Sequence, residues 1–519
     1  MKKGIFFAAM LMCVLTLGGS QSAISGIYRY SEKAYITFIG NVFTGFWDAG
    51  STMSGTFSVS GSRLTLTITG GTKAGNSWVW TIIDANTIRD QDGDRWYRES
   101  EASAADRAAT DKLVIWSFTD ELGIIIKGVP YSRNFDAYFT ETHPGVEIEY
   151  SQTPADLFQA KLDPVLASGQ GVPDIISLER SFVRKYVESG LLLDITDIYE
   201  ANKSRLFTYP AEVGTYNGRV YAMSWQACPG AMFYRRSLAK KYLGTDDPQV
   251  VQTYFKSFNR LLDTAELLKD KSKGACVVVS SLRDLANAFL SARRDPWVVN
   301  GRLVIDPAME QYLDIGKVLH DNRWEGRFRQ WSEGWFAGMR GELRDESGKP
   351  VEVFSYFLPT WGLHYVLKTN APNTSGDWAM IQGPSAYCWG GTWIGAYKGA
   401  RNAAAVKEFI RYATTDEAFL EAWAKETGDV VSNTKVVNKI KDSYREPYLG
   451  GQNHYAEFAE ITKKVNGKLI QAGDEVIEAI FDENASAYWN GEKTKQQALL
   501  DFKAQTETYV LPSLKKTLP

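Results

Sequence analysis

The chain has 519 residues, of which 44% are hydrophobic and 23% charged, and its formal net charge is -3. This balance excludes the basic surface of a nucleic-acid-binding protein, and the length is sufficient for two or three domains with separate cores. The 16 tryptophans exceed what core packing requires, which points to surfaces on which flat ligands stack.

The first 23 residues have the three-part build of a secretory signal peptide. Two lysines follow Met1, residues 4–17 are almost wholly apolar, and small and polar residues lead up to Ala23. We expect cleavage after Ala23 and a periplasmic mature protein, because the apolar run is too short to span a bilayer. Lipid anchoring through Cys13 is disfavoured, since this cysteine lies inside the apolar run without the small neighbours of a lipoprotein cleavage site.

Three cysteines remain after cleavage: Cys228, Cys276 and Cys388. An odd number cannot form a complete disulfide framework, so the fold must rest on its hydrophobic core. Cys228 and Cys388 either pair with each other or remain buried free thiols.

Residues 24–98 are predicted to form a small all-β domain. Leu64, Leu66 and Ile68 alternate with threonines, and glycines punctuate the extended runs. A compact meander or small barrel fits this pattern, which is similar to that of lipocalin-like β modules.

Three acids near the end of this domain, Asp90, Asp92 and Asp94, form the pattern D-x-D-G-D. A helix-loop-helix calcium loop needs glycine directly after the third acid, and Arg95 stands there instead. An Asp-Gly pair is typical of a hairpin turn, so we predict a turn rather than a metal site.

Residues 99–110 are small and polar, which is typical of a linker. Beyond them, short strands alternate with helices, the sign of an α/β domain. Strands are predicted at residues 113–116, 146–150 and 173–178, and the helices between them imply a parallel sheet that binds ligands at its carboxyl edge. Two extended runs, 220–224 and 225–234, could carry the chain from one lobe to another, and residues 237–335 and 474–519 are predicted to be mostly helical.

Several short motifs follow one another in a specific order. They include residues 114–121, 143–146 and 188–192, the Pro229-Gly230 step, the sequence GGTW at 390–393 and the stretch 448–452. This order resembles that of the extracellular solute-binding proteins of carbohydrate ABC importers, family 1 and maltose-binding-protein-like, over residues 111–519.

The resemblance implies a two-lobe α/β fold of the type II periplasmic-binding-protein class, preceded here by the small all-β domain. Lobe 1 is expected at about 111–222 and 378–415 and lobe 2 at about 223–377 and 416–519, with hinges near Met223 and near 376–383. The expected protein is a monomer that clamps a carbohydrate between the lobes and delivers it to the permease subunits.

The stretch 387–399 places Tyr387 and Trp389 next to the pair Gly390-Gly391. Aromatic plates together with bare backbone amides suit a sugar, which has apolar C–H faces and a rim of hydroxyls. The alternative is a buried aromatic strand with a glycine bulge.

Other ligand contacts are predicted around the strand ends. By the resemblance, Trp116, Asp120 and Glu121 lie at the end of the first strand, although the two acids could instead cap the next helix. Glu179 follows the third strand and could instead pair with a neighbouring arginine. The remaining candidates are Trp225, Gln226 and the stacking aromatic Trp361, with Trp331 and Trp335 as weaker ones.

Two other functions remain open. A secreted glycoside hydrolase would use a pair of carboxylates about 5 Å or about 6.5–9.5 Å apart, for which Asp120, Glu121 and Glu179 are available. Alternatively, the β domain is an adhesin and the rest a scaffold. We predict no cofactor and no metal, because no ligand spacing connects the histidines His143, His320, His364 and His454.

Overall fold

The computed structural model describes residues 24, 26–31, 34–39, 42–46, 52–71, 74–98, 112–128, 134–143, 146–345 and 347–514. The predicted signal peptide at 1–23 and the predicted linker at 99–110 lie outside the described residues. None of the helices in this described part is both long and apolar enough to cross a membrane.

The first eight strands close into an antiparallel barrel in sequence order. The last strand pairs back onto the first, with Tyr28 opposite Arg98, which completes the ring. In the fifth strand Leu64, Leu66 and Ile68 are buried and alternate with more exposed residues, so the all-β prediction is confirmed. The strands are β1 (Gly26–Ser31), β2 (Ala34–Ile39), β3 (Val42–Phe46), β4 (Thr52–Ser60), β5 (Arg63–Gly71), β6 (Ser77–Asp84), β7 (Thr87–Arg89) and β8 (Arg95–Arg98).

Aromatic side chains fill the interior of the barrel. Phe38 meets Phe57 edge to face at 4.9 Å, and Trp80 lies 5.1 Å from Trp96. The Asp90 carboxylate accepts the backbone N–H of Asp94 at 2.9 Å and the Trp96 indole N–H at 2.9 Å. The predicted hairpin turn is therefore confirmed.

A five-stranded sheet forms the core of the first lobe. Its order is β10-β9-β11-β22-β14, in which β9 is parallel to β10 and β11, and β22 is antiparallel to both of its neighbours. The parallel arrangement of the first three strands is confirmed. The bounds are β9 (Lys112–Ser117), β10 (Glu147–Gln152), β11 (Ile175–Glu179), β14 (Ala222–Ser224) and β22 (Thr392–Ala396).

Six short helices and one ribbon accompany the strands of this part of the chain. In the ribbon, Asn217 and Gly218 both have positive φ, as a two-residue hairpin turn requires. The elements are α1 (Glu121–Lys127), α2 (Phe135–Thr142), α3 (Ala155–Ser168), α4 (Val183–Val187), α5 (Thr196–Asn202), α6 (Thr208–Val213), β12 (Thr215–Tyr216) and β13 (Arg219–Val220), with a 3-10 turn at Lys203–Arg205.

A second sheet forms the core of the second lobe. Its order is β16-β19-β15-β20, and β21 also pairs with β15. Every residue of β15 from Pro229 to Tyr234 is buried, as expected for a strand with neighbours on both sides. The bounds are β15 (Pro229–Arg235), β16 (Cys276–Val279), β19 (Glu352–Pro359), β20 (Trp378–Ile381) and β21 (Tyr387–Cys388).

The remaining elements are mainly helical, as the sequence predicts for 237–335 and for the tail. The α-helices are α7 (Arg236–Leu243), α8 (Pro248–Tyr254), α9 (Phe258–Lys271), α10 (Ala286–Ala292), α11 (Pro307–Asp321), α12 (Glu333–Arg340), α13 (Ala403–Thr415), α14 (Glu417–Thr427), α15 (Thr434–Ile440), α16 (His454–Thr462), α17 (Asp474–Trp489), α18 (Lys495–Tyr509) and α19 (Leu511–Leu514). A ribbon of β17 (Val298–Val299) and β18 (Arg302–Leu303), a π-helix (Gly362–Lys368) and 3-10 turns at Leu282–Leu285, Pro372–Thr374, Pro447–Leu449 and Gly467–Leu469 complete the set.

The second change of lobe differs from the predicted one. Residues 378–381 were expected to open the return to lobe 1, but β20 pairs with β15 in the second sheet, and β21 does the same. The chain returns to the first sheet only at β22, so the hinge predicted near 376–383 is wrong and the crossing lies at 389–391. A fully buried strand carries no sequence mark that tells which of two sheets it joins.

Candidate functional site

Two segments connect the two sheets, and a third segment lies beside them. The first crossing, residues 225–228, joins β14 to β15, and the second, 389–391, joins β21 to β22. The third, 429–433, joins α14 to α15 and pairs with the first. Ala227 N–H donates to the Val430 carbonyl at 2.7 Å, and Trp389 N–H donates to the Cys228 carbonyl at 3.1 Å. The predicted hinge near Met223 therefore lies directly before the first crossing.

A cluster of three tryptophans adjoins the second crossing. Trp361 meets Trp389 at 5.5 Å with the ring planes 67° apart, and Trp331 stacks on Trp361 at 6.3 Å with the planes 7° apart. Trp331 also meets Trp389 at 6.4 Å and 70°. We call these three rings the tryptophan cluster. It brings together two of the predicted site residues and one weaker candidate.

Trp331 is the most accessible ring of the cluster, with 53% of its surface exposed. Its backbone has φ 67°, a left-handed conformation that is rare for a bulky residue and is found at functional positions more often than elsewhere. Beneath it, Trp335 is buried and donates its indole N–H to Asp284 at 3.1 Å. Of the two weaker candidates, Trp335 is therefore a core residue, whereas Trp331 presents an open face.

Close packing accounts for the glycine pair. Gly390 has φ 68°, and a Cβ there would lie 2.9 Å from Nε1 of Trp361, the atom that donates to the Trp389 carbonyl at 3.0 Å. A Cβ on Gly391 would meet Trp393 at 3.2 Å. The Gly391 carbonyl accepts the N–H of Arg180 at 3.2 Å. The two glycines thus let the tryptophan cluster close onto the crossing.

Glu121 and Gln226 meet inside the protein. The Gln226 side-chain N–H donates to Glu121 Oε1 at 2.8 Å, and Thr392 Oγ1 donates to Glu121 Oε2 at 3.3 Å. Burial, with the nearby charge of Asp429 second, raises the pKa of Glu121 to about 8. These two buried side chains therefore hold the crossings together and do not form an exposed edge of the site.

Asp429 in the third crossing is a functional candidate that the sequence reasoning missed. It accepts the Gln226 side-chain N–H at 3.1 Å and the Thr360 hydroxyl at 2.8 Å. Burial raises its pKa to about 6. The only signal for it in the sequence is its position directly after Gly428, the glycine that ends α14 and has φ 71°.

Three predicted contacts lie at the carboxyl ends of the first sheet. Trp116 is partly exposed near the end of β9, and Asp120 is exposed before α1. Glu179 ends β11 and accepts the Ser181 N–H at 2.6 Å, and burial raises its pKa. Within the described residues, Glu179 forms no hydrogen bond with either neighbouring arginine, Arg180 or Arg184.

Arg180 was not predicted and reaches the other lobe. Its guanidinium donates to the side-chain oxygen of Asn287 in α10 at 3.3 Å. Because Arg180 directly follows β11 of the first sheet, this contact joins the facing edges of the two lobes. The sequence signal that could have identified Arg180 is its position directly after Glu179, at the end of a predicted strand.

Two predicted rings are interior. Trp225 is 0% exposed and meets Trp423 edge to face at 6.1 Å. Tyr387 is also 0% exposed and donates its hydroxyl to the Ala231 carbonyl at 2.9 Å. The structure therefore does not bring Trp225 or Tyr387 to the open face of the tryptophan cluster. Cys228 and Cys388 are buried free thiols rather than a disulfide.

Comparisons with known proteins agree with this architecture. Residues 125–293 match the family model described as bacterial extracellular solute-binding protein. An extracellular solute-binding protein of family 1 has a TM-score of 0.67 at 18% identity, with 77% of this chain and 99% of that chain covered. The resemblance predicted from the motif order is confirmed, and the chain has the two-lobe solute-binding fold.

Two further solved structures share this fold. The sugar-binding protein MalE from Xanthomonas citri has a TM-score of 0.63 at 14% identity, covering 78% of this chain and 98% of that one. The galacto-N-biose-/lacto-N-biose I-binding protein of a Bifidobacterium longum ABC transporter, in complex with lacto-N-biose, has a TM-score of 0.59 at 17% identity, covering 79% and 98%.

Proposed function

We propose that this chain is the extracytoplasmic substrate-binding component of an ABC importer and that it binds a neutral sugar or oligosaccharide between its lobes. The family match over 125–293 and the two-lobe fold support the class of protein. The sugar ligand of the Bifidobacterium relative supports the class of ligand.

The observation that carries the proposal is the tryptophan cluster beside the crossings. Trp331 offers an open ring face, and Trp389 lies nearly perpendicular to it at 70°. Flat apolar faces in two orientations can stack on a sugar ring and contact its edge. Asp120 and Glu179, which lie beyond and at the carboxyl ends of the neighbouring strands β9 and β11, supply carboxylate acceptors for hydroxyls.

The proposed ligand contacts are therefore centred on the second crossing. They are Trp331, Trp361 and Trp389, with Trp116, Asp120 and Glu179 from the first sheet. Glu121, Gln226, Gly390 and Gly391 shape the site from behind. We assign Trp225 and Tyr387 to packing because both rings are fully buried.

We propose binding without catalysis, because the fold is that of solute-binding proteins and one of the three carboxyl groups considered for hydrolysis is not accessible. A glycosidase needs two carboxyl groups that both reach the scissile bond. Glu121 is buried and held by Gln226 and Thr392, which removes it from such a pair. We further propose a monomer that acts in the periplasm and delivers its ligand to a membrane permease.

The test is a thermal-shift screen of the mature protein against neutral mono- and oligosaccharides. A ligand at about 100 times its Kd should stabilise the protein by about 2.7 kcal/mol. We expect one sugar to raise the melting temperature, and Trp389→Ala and Trp331→Ala to abolish this rise.

The matched control is Tyr509→Ala, because Tyr509 is 51% exposed and lies in α18. This variant should keep the full shift. Reducing-sugar release from oligosaccharides would favour the hydrolase instead. A folded protein that responds to no sugar would contradict the proposal.

A further inference from the structure

One side-chain amide connects all three crossings. Gln226 belongs to the first crossing, and its Oε1 accepts the N–H of Thr392, the residue directly after the second crossing, at 3.0 Å. Its Nε2 donates to Asp429 of the third crossing at 3.1 Å and to Glu121 at 2.8 Å. Any relative movement of the crossings must change these bonds.

Each carboxyl group of this network also accepts a hydrogen bond from a threonine hydroxyl that lies at the end of one of the two sheets. Glu121 is the first residue of α1 and receives the Thr392 hydroxyl at 3.3 Å, so it follows the first sheet. Asp429 receives the hydroxyl of Thr360, which directly follows β19 of the second sheet, at 2.8 Å. The distance between the two carboxyl groups therefore depends on how the lobes are arranged.

Within the described part of the chain, neither carboxyl group of the pair forms an ion pair, and Glu121 is 7% and Asp429 4% exposed. The titratable groups that face Glu121 are Asp120, Tyr150, Cys228 and Tyr365. Those around Asp429 are Tyr209, Tyr455, His364 and His454, and the two histidines lie against the preceding Gly428. Burial lowers the pKa of both histidines, so they are neutral near pH 7, and Lys368 beside His364 pairs with Glu446 at 2.9 Å. If both carboxyl groups that accept from the Gln226 amide were ionised, no nearby positive charge would offset the repulsion between them.

A proton on the pair removes this repulsion. Burial raises the pKa of Glu121 to about 8, with Asp429 as the second cause, and burial raises the pKa of Asp429 to about 6. At neutral pH the pair therefore carries one proton. The pair loses its proton as the pH rises through about 8.

We propose that Glu121, Gln226 and Asp429 form a proton-dependent lock on the three crossings, which holds the lobes in the arrangement described here while the pair carries a proton. When the proton leaves, the two carboxylates repel each other across the amide. Because their hydroxyl partners, Thr392 and Thr360, belong to different sheets, the repulsion separates the lobes. The lock would regulate the binding movement of the proposed function, but its test needs no ligand.

The test measures the distance between the lobes in the mature protein without sugar. Spin labels are attached at Glu200→Cys in α5 and Lys256→Cys, two exposed positions on different lobes, while the three native cysteines are buried. We expect the distance distribution to shift to longer values between pH 6 and pH 9. In Glu121→Gln, which keeps the size but cannot ionise, the distribution should be the same at both pH values.

Two variants keep this test decisive. Glu507→Gln changes an exposed glutamate in α18 and should respond to pH as the unmodified protein does. If Glu121→Gln fails to fold, Asp429→Asn removes the other charge and should equally abolish the shift. An unmodified protein with one distribution at both pH values, or a Glu121→Gln protein with the full shift, would overturn the lock.

Stability gives a second readout with a defined sign. Because the folded-state pKa of Glu121 is raised from 4.5 to about 8, the folded protein binds more protons than the unfolded chain between these pH values. The melting temperature should therefore fall as the pH rises through this window and then level off. Glu121→Gln should remove this part of the fall.

Discussion

Gly390 shows how a single absent side chain can position the tryptophan cluster. The residue has φ 68°, and its Cα lies so close to Trp361 that a Cβ would be 2.9 Å from Nε1. That nitrogen is the donor of the bond to the Trp389 carbonyl. The position therefore requires glycine for two independent reasons, backbone conformation and space.

The first prediction concerns Gly390→Ala. The left-handed backbone costs about 1–2 kcal/mol for any residue with a Cβ, and the displaced Trp361 indole loses its hydrogen bond at a further cost of about 1 kcal/mol. We expect a destabilisation of about 2–3 kcal/mol and a changed tryptophan emission, measured by denaturant unfolding followed by fluorescence.

The control for this variant is Gly491→Ala. Gly491 has φ 78° but has no heavy atom within 4 Å of its hypothetical Cβ, so it reports the backbone cost alone. Equal destabilisation of the two variants would show that the contact with Trp361 is unimportant.

Single residues were predicted from sequence with mixed success. The aromatic-glycine stretch at 387–391 does lie at a crossing, but alternation of aromatic residues cannot tell which ring faces inward, and Tyr387 and Trp225 are buried. Asp429 carries its role through contacts with Gln226 and Thr360, which are far away in sequence. Such partnerships leave no local pattern.

At the scale of elements, the hairpin between β7 and β8 depends on one carboxylate. Asp90 accepts the backbone N–H groups of Asp92 at 3.0 Å and Asp94 at 2.9 Å, and it also holds the indole of buried Trp96. The turn and the barrel interior are thereby connected through a single side chain.

We predict that Asp90→Ala destabilises the barrel by about 1–3 kcal/mol, because the buried Trp96 N–H loses its acceptor. Amide hydrogen exchange within β8 is the appropriate measurement. Asp92→Ala is the control in the same turn, since the Asp92 carboxylate accepts its hydrogen bond from the exposed Gln91 side chain at 3.3 Å, and its effect should stay within about 0.5 kcal/mol. Unchanged exchange in Asp90→Ala would contradict the assigned role.

Elements with a clear period were predictable. The alternation in β5 and the three parallel strands β9, β10 and β11 are where the sequence indicates. The lobe assignment of β20 was wrong because its four buried residues fit the interior of either sheet. Pairing partners are decided by the global packing rather than by the strand itself.

For the whole molecule, the order of motifs was sufficient to predict the two-lobe fold, because it samples many separate positions along the chain. The path between the lobes was harder, since the three crossings come from distant parts of the sequence. For function, the question at this scale is whether the β domain or the two lobes bind the ligand.

We predict that deletion of residues 24–98 from the mature protein leaves the Kd for its sugar unchanged, because every proposed contact lies beyond residue 111. Isothermal titration calorimetry of the deleted and intact proteins is the measurement. A loss of affinity of about tenfold, or about 1.4 kcal/mol, would assign part of the binding to the barrel.

The central place of β22 in the first sheet has a consequence for biosynthesis. The strand lies between β11 and β14, although it is made long after both of them. Until residues 392–396 are available, each of these earlier strands has an unpaired backbone edge, which is where nascent or refolding chains associate with one another. The first lobe therefore cannot be completed before most of the second has been synthesised, and its yield on refolding should depend on chain concentration.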